Sequence, residues 1–478
     1  MAARAVSKTG EDSVPAGAVN SGGRLDRLPI SQFHYRVLGL VSAGMFLDAF
    51  EIYLAGGVLA ALVKSGWSDL AHNGWFISIT FAGMMVGAWC AGIFGDRYGR
   101  RFSYQLNLLI FGIASLSGAA APSIEWLIVA RFFMGVGLGA EIVVGYVTLS
   151  EFVPPLQRGR WGSGLSAITN SALFVSAFAG LLIIPQFGWR WMFVITGVGA
   201  LIVWYLRRAL PESPRWLESK GHLEEAEKVL GAIEAEVSRG GLLPPAAEQP
   251  TPVLPQQSTK ALFEGAMLSR TIVGSLILIA INTVIYGFVA WVPTFLVKQG
   301  MSIVSSLGFT TLMSLGGPVG ALAGMWLGDH VGRKPVLVGF SLATIVLGFI
   351  YPFAPSEALL SLVGFALVTC VYVMVAVAWA LYVPEMFPTE IRMRGAGFCN
   401  TMGRLMTIIT PQIVPVIFVR AGVLGVVGML AAMLLIQAIA VAFFGIETRQ
   451  QSLEALRPQQ SDPEAIAIEA AVPRSPQT

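Results

Sequence analysis

Five ionisable side chains stand inside long apolar runs of this sequence, and their setting points to chemistry. An Asp or Arg at the centre of a bilayer costs about 2.5–3.5 kcal/mol on insertion scales. Asp48 and Glu51 lie in Met45-Phe46-Leu47-Asp48-Ala49-Phe50-Glu51-Ile52-Tyr53, three residues apart and therefore on one face of a helix. Two carboxylates this close in a low dielectric resist ionising together, so one is expected to hold a proton, as a proton carrier must. The structural alternative is a hydrogen bond to a neighbouring helix or a fixed arginine. Glu141 ends a glycine-rich run, Gly135 to Ala140, with Arg131 ten residues earlier. Ten helical residues rise about 15 Å, so these two must find partners elsewhere. Glu141, with no evident local cation, reads as a third protonatable group. For Arg131, structural pairing and substrate contact are both open. Arg404, in Asn400-Thr401-Met402-Gly403-Arg404-Leu405, offers a permanently charged fork suited to a carboxylate or phosphate. A fixed bridge to Asp48, Glu51 or Glu141 is the alternative there.

The elements that must position these groups are membrane helices. Of the 478 residues 55% are hydrophobic and 12% charged, against roughly 25% charged in soluble domains. Runs long enough to cross a hydrocarbon core recur at about 35–63, 74–95, 102–121, 125–150, 161–184 and 190–208, then at 271–298, 303–328, 335–354, 357–384, 395–419 and 422–445. The fold expected is all-α, twelve transmembrane helices in two six-helix bundles, 34–208 and 269–446. Residues 1–33 read as a disordered tail with no cleavable signal, and 447–478 as a second tail. Between the bundles, 209–268 divides into an amphipathic helix over Leu217–Val237 and a linker rich in Pro, Gln and Gly.

Lys and Arg set the expected orientation. Arg24, Arg27, Arg97, Arg100, Arg101, Arg158, Arg160, Arg207, Arg208, Arg215, Arg333, Lys334, Arg392 and Arg394 fall on loops of one parity, and Lys64, Lys298 and Arg420 on the other. Both termini are therefore expected in the cytoplasm. The net charge of +3 reflects this topology and gives no sign of nucleic-acid binding. Cys90, Cys370 and Cys399 sit in spans at no metal-like spacing, and the four histidines, His34, His72, His222 and His330, lie at span ends or loops. No phosphate-cradling Gly-rich loop appears, so neither ATP nor another cofactor or a metal is expected. No nucleophile, base and third partner converge, which argues against an enzyme.

The chain also repeats itself. Gly95-Asp96-Arg97-Tyr98-Gly99-Arg100-Arg101 returns as Gly328-Asp329-His330-Val331-Gly332-Arg333-Lys334, and Glu151-Phe152-Val153-Pro154 with Arg158 and Arg160 returns as Glu385-Met386-Phe387-Pro388 with Arg392 and Arg394. The aspartates are 233 positions apart and the glutamates 234, so one unit has been duplicated. These loops, with the Arg131 glycine-rich span, resemble the signatures of the major facilitator superfamily over nearly the whole chain. Pro211-Glu212-Ser213-Pro214-Arg215-Trp216-Leu217 is similar to its sugar-porter-like branch.

The resemblance implies two bundles related by a pseudo-two-fold axis, with substrate between them at mid-depth and exposed alternately to either side. It implies that Asp96, Arg97, Arg100, Arg101, Glu151, Arg160, Asp329, Arg333, Glu385 and Arg394 form a cytoplasmic charge network that latches the halves when outward-open. Glu51 followed by Gly56-Gly57, and Asn282 with Tyr286, resemble sugar porters, yet Ile277-Leu278-Ile279-Ala280 replaces their paired glutamines. The acidic pair, Trp291-Val292-Pro293 and Arg404 resemble proton symporters of aromatic or other organic acids, nicotinate-type carriers included. The expectation is a bacterial inner-membrane symporter of a small organic anion and protons, working as a monomer. Glu51 or Asp48 would take a proton and release Arg404 to bind the substrate's carboxylate. Tyr53, Asn282, Tyr286, Trp291, Trp379 and Tyr382 are candidate cavity residues. A sugar or polyol symporter and an efflux carrier are the alternatives.

Overall fold

In a computed structural model, residues 19–238, 241–246, 259–387 and 391–448 are described. Eleven helical segments are long and apolar enough to cross a membrane. The last runs from Arg392 to Phe444, about twice the length a bilayer needs. It breaks at Gly422, where φ is 62° and ψ −161°, a left-handed backbone that glycine tolerates best. The break divides it into an eleventh and a twelfth span. The first ten are Gln32–Lys64, Leu70–Tyr98, Arg100–Ala119, Ile124–Phe152, Pro155–Phe187 and Arg190–Leu206, then Gly265–Lys298, Ile303–His330, Arg333–Ile350 and a tenth from Glu357 to Glu385. Large apolar side chains such as Trp89 (71% exposed) and Phe443 (78%) face outward, as a lipid solvent allows.

Each half packs by the same scheme. The second span lies on the fourth, and the eighth on the tenth. Close approach there depends on glycine: a Cβ on Gly83, Gly87, Gly135 or Gly139 would run into a backbone carbonyl of the facing helix, and Gly316, Gly320 and Gly324 repeat the pattern. The seventh span carries a π-helical stretch at Ile285–Val289 and the tenth another at Ala376–Tyr382. Such bulges are frequent at functional sites, because one extra residue per turn re-aims a side chain.

The halves meet away from the charged loops. Ser78 Oγ donates to Ile408 O (2.6 Å), Gln412 Nε2 to Ser78 Oγ (2.9 Å), and Tyr372 Oη to Tyr53 Oη (3.0 Å). The Phe81 and Tyr286 rings touch at 4.4 Å. These contacts lie at mid-depth or toward the face opposite the Gly95–Arg101 and Gly328–Lys334 loops.

The N-terminal segment corrects the expectation of disorder through residue 33. Residues 1–18 lie outside the described residues, but 19–33 are ordered, with a helix at Ser21–Asp26. Leu25 (1% exposed) and Leu28 (2%) are buried in the cluster that includes Leu230 and Ile233 of the linker helix, Leu223–Ser238. Arg24 pairs with Glu227 (2.5 Å) and Glu234 (2.7 Å), and Arg27 with Glu234 (2.6 Å). Two leucines and two arginines thus fasten a stretch whose composition reads as tail.

Candidate functional site

The first-half bundle buries three carboxylates and two arginines at its centre. Glu51 on the first span receives Arg131 Nη1 at 2.5 Å, with both side chains almost fully buried. Arg131 also donates from Nε to Thr80 Oγ1 (3.0 Å) and lies over the Phe76 ring (4.3 Å). Of the two readings of Arg131, structural pairing is the one observed. Glu141 is ion-paired with Arg207. The Arg207 guanidinium donates to the carbonyls of Leu40 and Val41, each at 2.8 Å, and is 1% exposed. Glu141 thus finds its cation on another element, at the end of the sixth span. Arg207, read above as a loop charge, folds back into the bundle beside Tyr104. Asp48 is equally buried, and neither of its oxygens has a hydrogen-bond partner.

Arg404 is not bridged to Asp48, Glu51 or Glu141, since the ion pairs of Glu51 and Glu141 go to Arg131 and Arg207. It lies 5.7 Å from the Trp379 ring and within electrostatic reach of the Tyr53 and Tyr286 hydroxyls. Among the described residues no carboxylate pairs with it, and it keeps part of its surface exposed. In this state Arg404 is therefore not held by a first-span carboxylate. The Trp379 indole Nε1 is buried without a partner. Tyr53 and Tyr286 line a small cavity whose walls add Ser176, Thr310 and Ser314 to a mainly apolar surface.

Three aromatic and polar candidates sit elsewhere. Trp291 is fully buried and stacked on Phe295, which stacks on Phe418, so it belongs to an aromatic stack inside the second half. Asn282 donates to Leu278 O of its own helix (2.7 Å) and packs against Gly403. Tyr382 is buried beside Gly445. Tyr372, which no sequence signal singled out, joins the site through Tyr53.

At the charged face, Arg100 pairs with Glu151 (3.1 Å) and Arg333 with Glu385 (3.0 Å) and Asp329 (3.2 Å), each pair inside one half. Arg101 Nη2 donates to Arg208 O, and Arg160 is exposed. Arg97 lies over the Tyr98 ring, and Arg394 is partly buried. The Asp96 side chain and Pro388 lie outside the described residues. Two further acids complete the pattern. Glu212 accepts the backbone N–H groups of Arg100 (2.9 Å) and Arg101 (3.1 Å), and Glu447 those of Arg333 (3.1 Å) and Lys334 (3.0 Å). Each caps the positive N-terminus of a span with a carboxylate. Burial pushes the Glu212 carboxyl above the usual glutamate value, and those N–H bonds oppose the shift. No group of His, Cys, Asp or Glu that could hold a metal occurs among the described residues.

A family model described as Major Facilitator Superfamily matches residues 41–411. The inner membrane metabolite transport protein YdjE of Escherichia coli is 39% identical over 447 residues, 91% of this chain and 97% of that protein. The niacin transporter NiaP of Acinetobacter baylyi is 31% identical, over 91% of this chain and 98% of that one. The xylose transporter XylE from Escherichia coli, in a partially occluded inward-open conformation, matches the fold with a TM-score of 0.70 at 16% identity, covering 88% of this chain and 100% of that one. Twelve spans in two like halves, a cavity lined by residues of both halves and these matches make the chain an integral protein of the bacterial inner membrane, a secondary active carrier and not an enzyme, belonging to the Major Facilitator Superfamily.

Proposed function

We propose that the carrier moves a small organic anion, an aromatic or other carboxylate, together with protons by alternating access, each chain acting as a monomer. The observation that carries this reading is Arg404, a guanidinium deep in the eleventh span with no carboxylate partner among the described residues. Its neighbours are two phenols and an indole. A cation so placed in low dielectric calls for an anion, and the substrate supplies it. The mainly apolar cavity lined by Tyr53 and Tyr286 suits an aromatic or aliphatic body better than a polyhydroxyl one. NiaP, by its name, transports niacin, an aromatic carboxylic acid.

Proton coupling rests on the buried acids Asp48, Glu51 and Glu141, which outnumber the arginines paired with them. In this reading the arginine-rich face and both termini are cytoplasmic, and the described state faces inward, its halves joined at the outer side. Asp96, Arg97, Arg100, Arg101, Glu151, Arg160, Asp329, Arg333, Glu385 and Arg394 re-pair across the halves when the carrier turns outward. Charges at helix ends beside water exchange partners at small net cost.

The test is uptake into proteoliposomes under an imposed inward proton gradient, with aromatic and aliphatic carboxylates beside neutral sugars. Carboxylate accumulation that collapses with the gradient is expected. Gradient-driven sugar uptake with carboxylates inert would move the assignment to a sugar symporter.

A further inference from the structure

The three carboxylates at the centre of the first bundle are not equivalent. Glu51 is locked to Arg131, which is itself held by Thr80 and Phe76. Glu141 touches Arg207 as an ion pair, yet neither of its oxygens reaches hydrogen-bond geometry. Asp48 has neither kind of partner. The charges facing Asp48 are Glu141 from the fourth span, Arg207 from the end of the sixth and Glu51 on its own helix. The fifth span, packed on the same helix, has no ionisable residue between 161 and 187. Three acids therefore meet two guanidiniums in a water-poor core, where a bare carboxylate is strongly disfavoured.

Arg207 occupies a built slot. A Cβ at Gly44 would stand 2.7 Å from both its guanidinium carbon and Glu141 Oε1, so a larger residue one helical turn before Asp48 would displace this pair. The carbonyls of Leu40 and Val41 hold the guanidinium by Nε and Nη2, leaving Nη1 as the arm toward the acids.

We propose that Asp48 is the group that holds the proton, and that Arg207 is a counter-ion shared between Glu141 and Asp48 that answers the proton's loss. The proposal rests on the proton-symport reading for what happens to that proton, though not for where it sits. With Asp48 protonated, Arg207 serves Glu141 alone. When the proton leaves, the new carboxylate draws the Nη1 arm. Arg207 stands just before the stretch fastened to the third span, where Tyr104 Oη donates to Leu210 O (3.3 Å) and Glu212 caps Arg100 and Arg101. A shift of Arg207 therefore bears on the charged face that opens and closes.

The test is infrared spectroscopy of the purified full-length carrier, which needs no substrate. The intact protein at neutral pH should show the carbonyl stretch of a buried protonated acid. That band should move when aspartate alone is isotope-labelled, and it should vanish in Asp48→Asn. It should vanish also in Glu141→Gln, where Asp48 remains but Arg207 is free to pair with it. A band that follows glutamate labelling, or no band at all, overturns the assignment of Asp48. A band that persists unchanged in Glu141→Gln overturns the sharing of Arg207. The labelling experiment decides the first point even if a variant fails to fold. The expected bands in a carrier that moves no carboxylate would sink the proposed function and leave this inference standing.

Discussion

Replacing Arg404 by Gln separates a substrate-binding arginine from a structural one. Charge-assisted hydrogen bonds contribute about 1.5–3 kcal/mol. At about 1.4 kcal/mol per tenfold, losing them raises the half-saturation concentration for a carboxylate about 10- to 100-fold. The fold should not suffer, because no carboxylate among the described residues depends on Arg404. Arg131→Gln behaves differently: it strands Glu51 in the core, at about 3–5 kcal/mol for a broken buried pair. The assay is concentration-dependent uptake in proteoliposomes, with the thermal unfolding midpoint of the same preparation in detergent. Arg404→Lys, which keeps the charge and loses the fork, should fall between the intact protein and Arg404→Gln. The reasoning fails if Arg404→Gln lowers the unfolding midpoint as far as Arg131→Gln does, or binds carboxylate as well as the intact protein.

Three further outcomes are expected. Glu51→Gln should destabilise by about 3–5 kcal/mol through the stranded Arg131, and adding Arg131→Met should recover most of that loss in a double-mutant cycle of unfolding midpoints. Gly139→Ala, which drives a methyl into the Met84 carbonyl, should cost about 1–3 kcal/mol, whereas Gly428→Ala, with open space around it, should leave the midpoint unchanged. Arg24, and then Arg27, hold the Glu234 carboxyl below the usual glutamate value. An acid so depressed adds stability above its unfolded value and loses it as pH falls through its folded one. The protection of residues 19–28 against hydrogen exchange, relative to the intrinsic rate at each pH, should therefore be high at neutral pH, fall on acidification below the ordinary glutamate range, and be low at neutral pH in Glu234→Gln.

The spans were legible because lipid demands long apolar runs, and the duplication because charged loop residues keep their register. Glu212 and Glu447 carried the same signal unread. They stand 235 positions apart, in line with 233 for the aspartates and 234 for the glutamates. Partner choice was not legible. Arg207 follows an apolar run and precedes Arg208, which is how an ordinary loop charge looks. Its inward turn depends on the rotation of the sixth span and on room left by Gly44, a tertiary property. Trp291 shows the same limit, since residue type cannot say whether an aromatic ring faces a cavity or a stack. Leu25 and Leu28 were hidden in a polar composition, and their burial needed the linker helix opposite them.

The central claim is that an organic anion and protons cross together, and a pH electrode tests it directly. Weakly buffered proteoliposomes holding the intact carrier receive a pulse of aromatic carboxylate with no imposed gradient. The account predicts alkalinisation of the outside medium in step with carboxylate uptake, and none on a pulse of neutral sugar. Carboxylate uptake with the external pH unmoved, or alkalinisation driven by sugar, would contradict it.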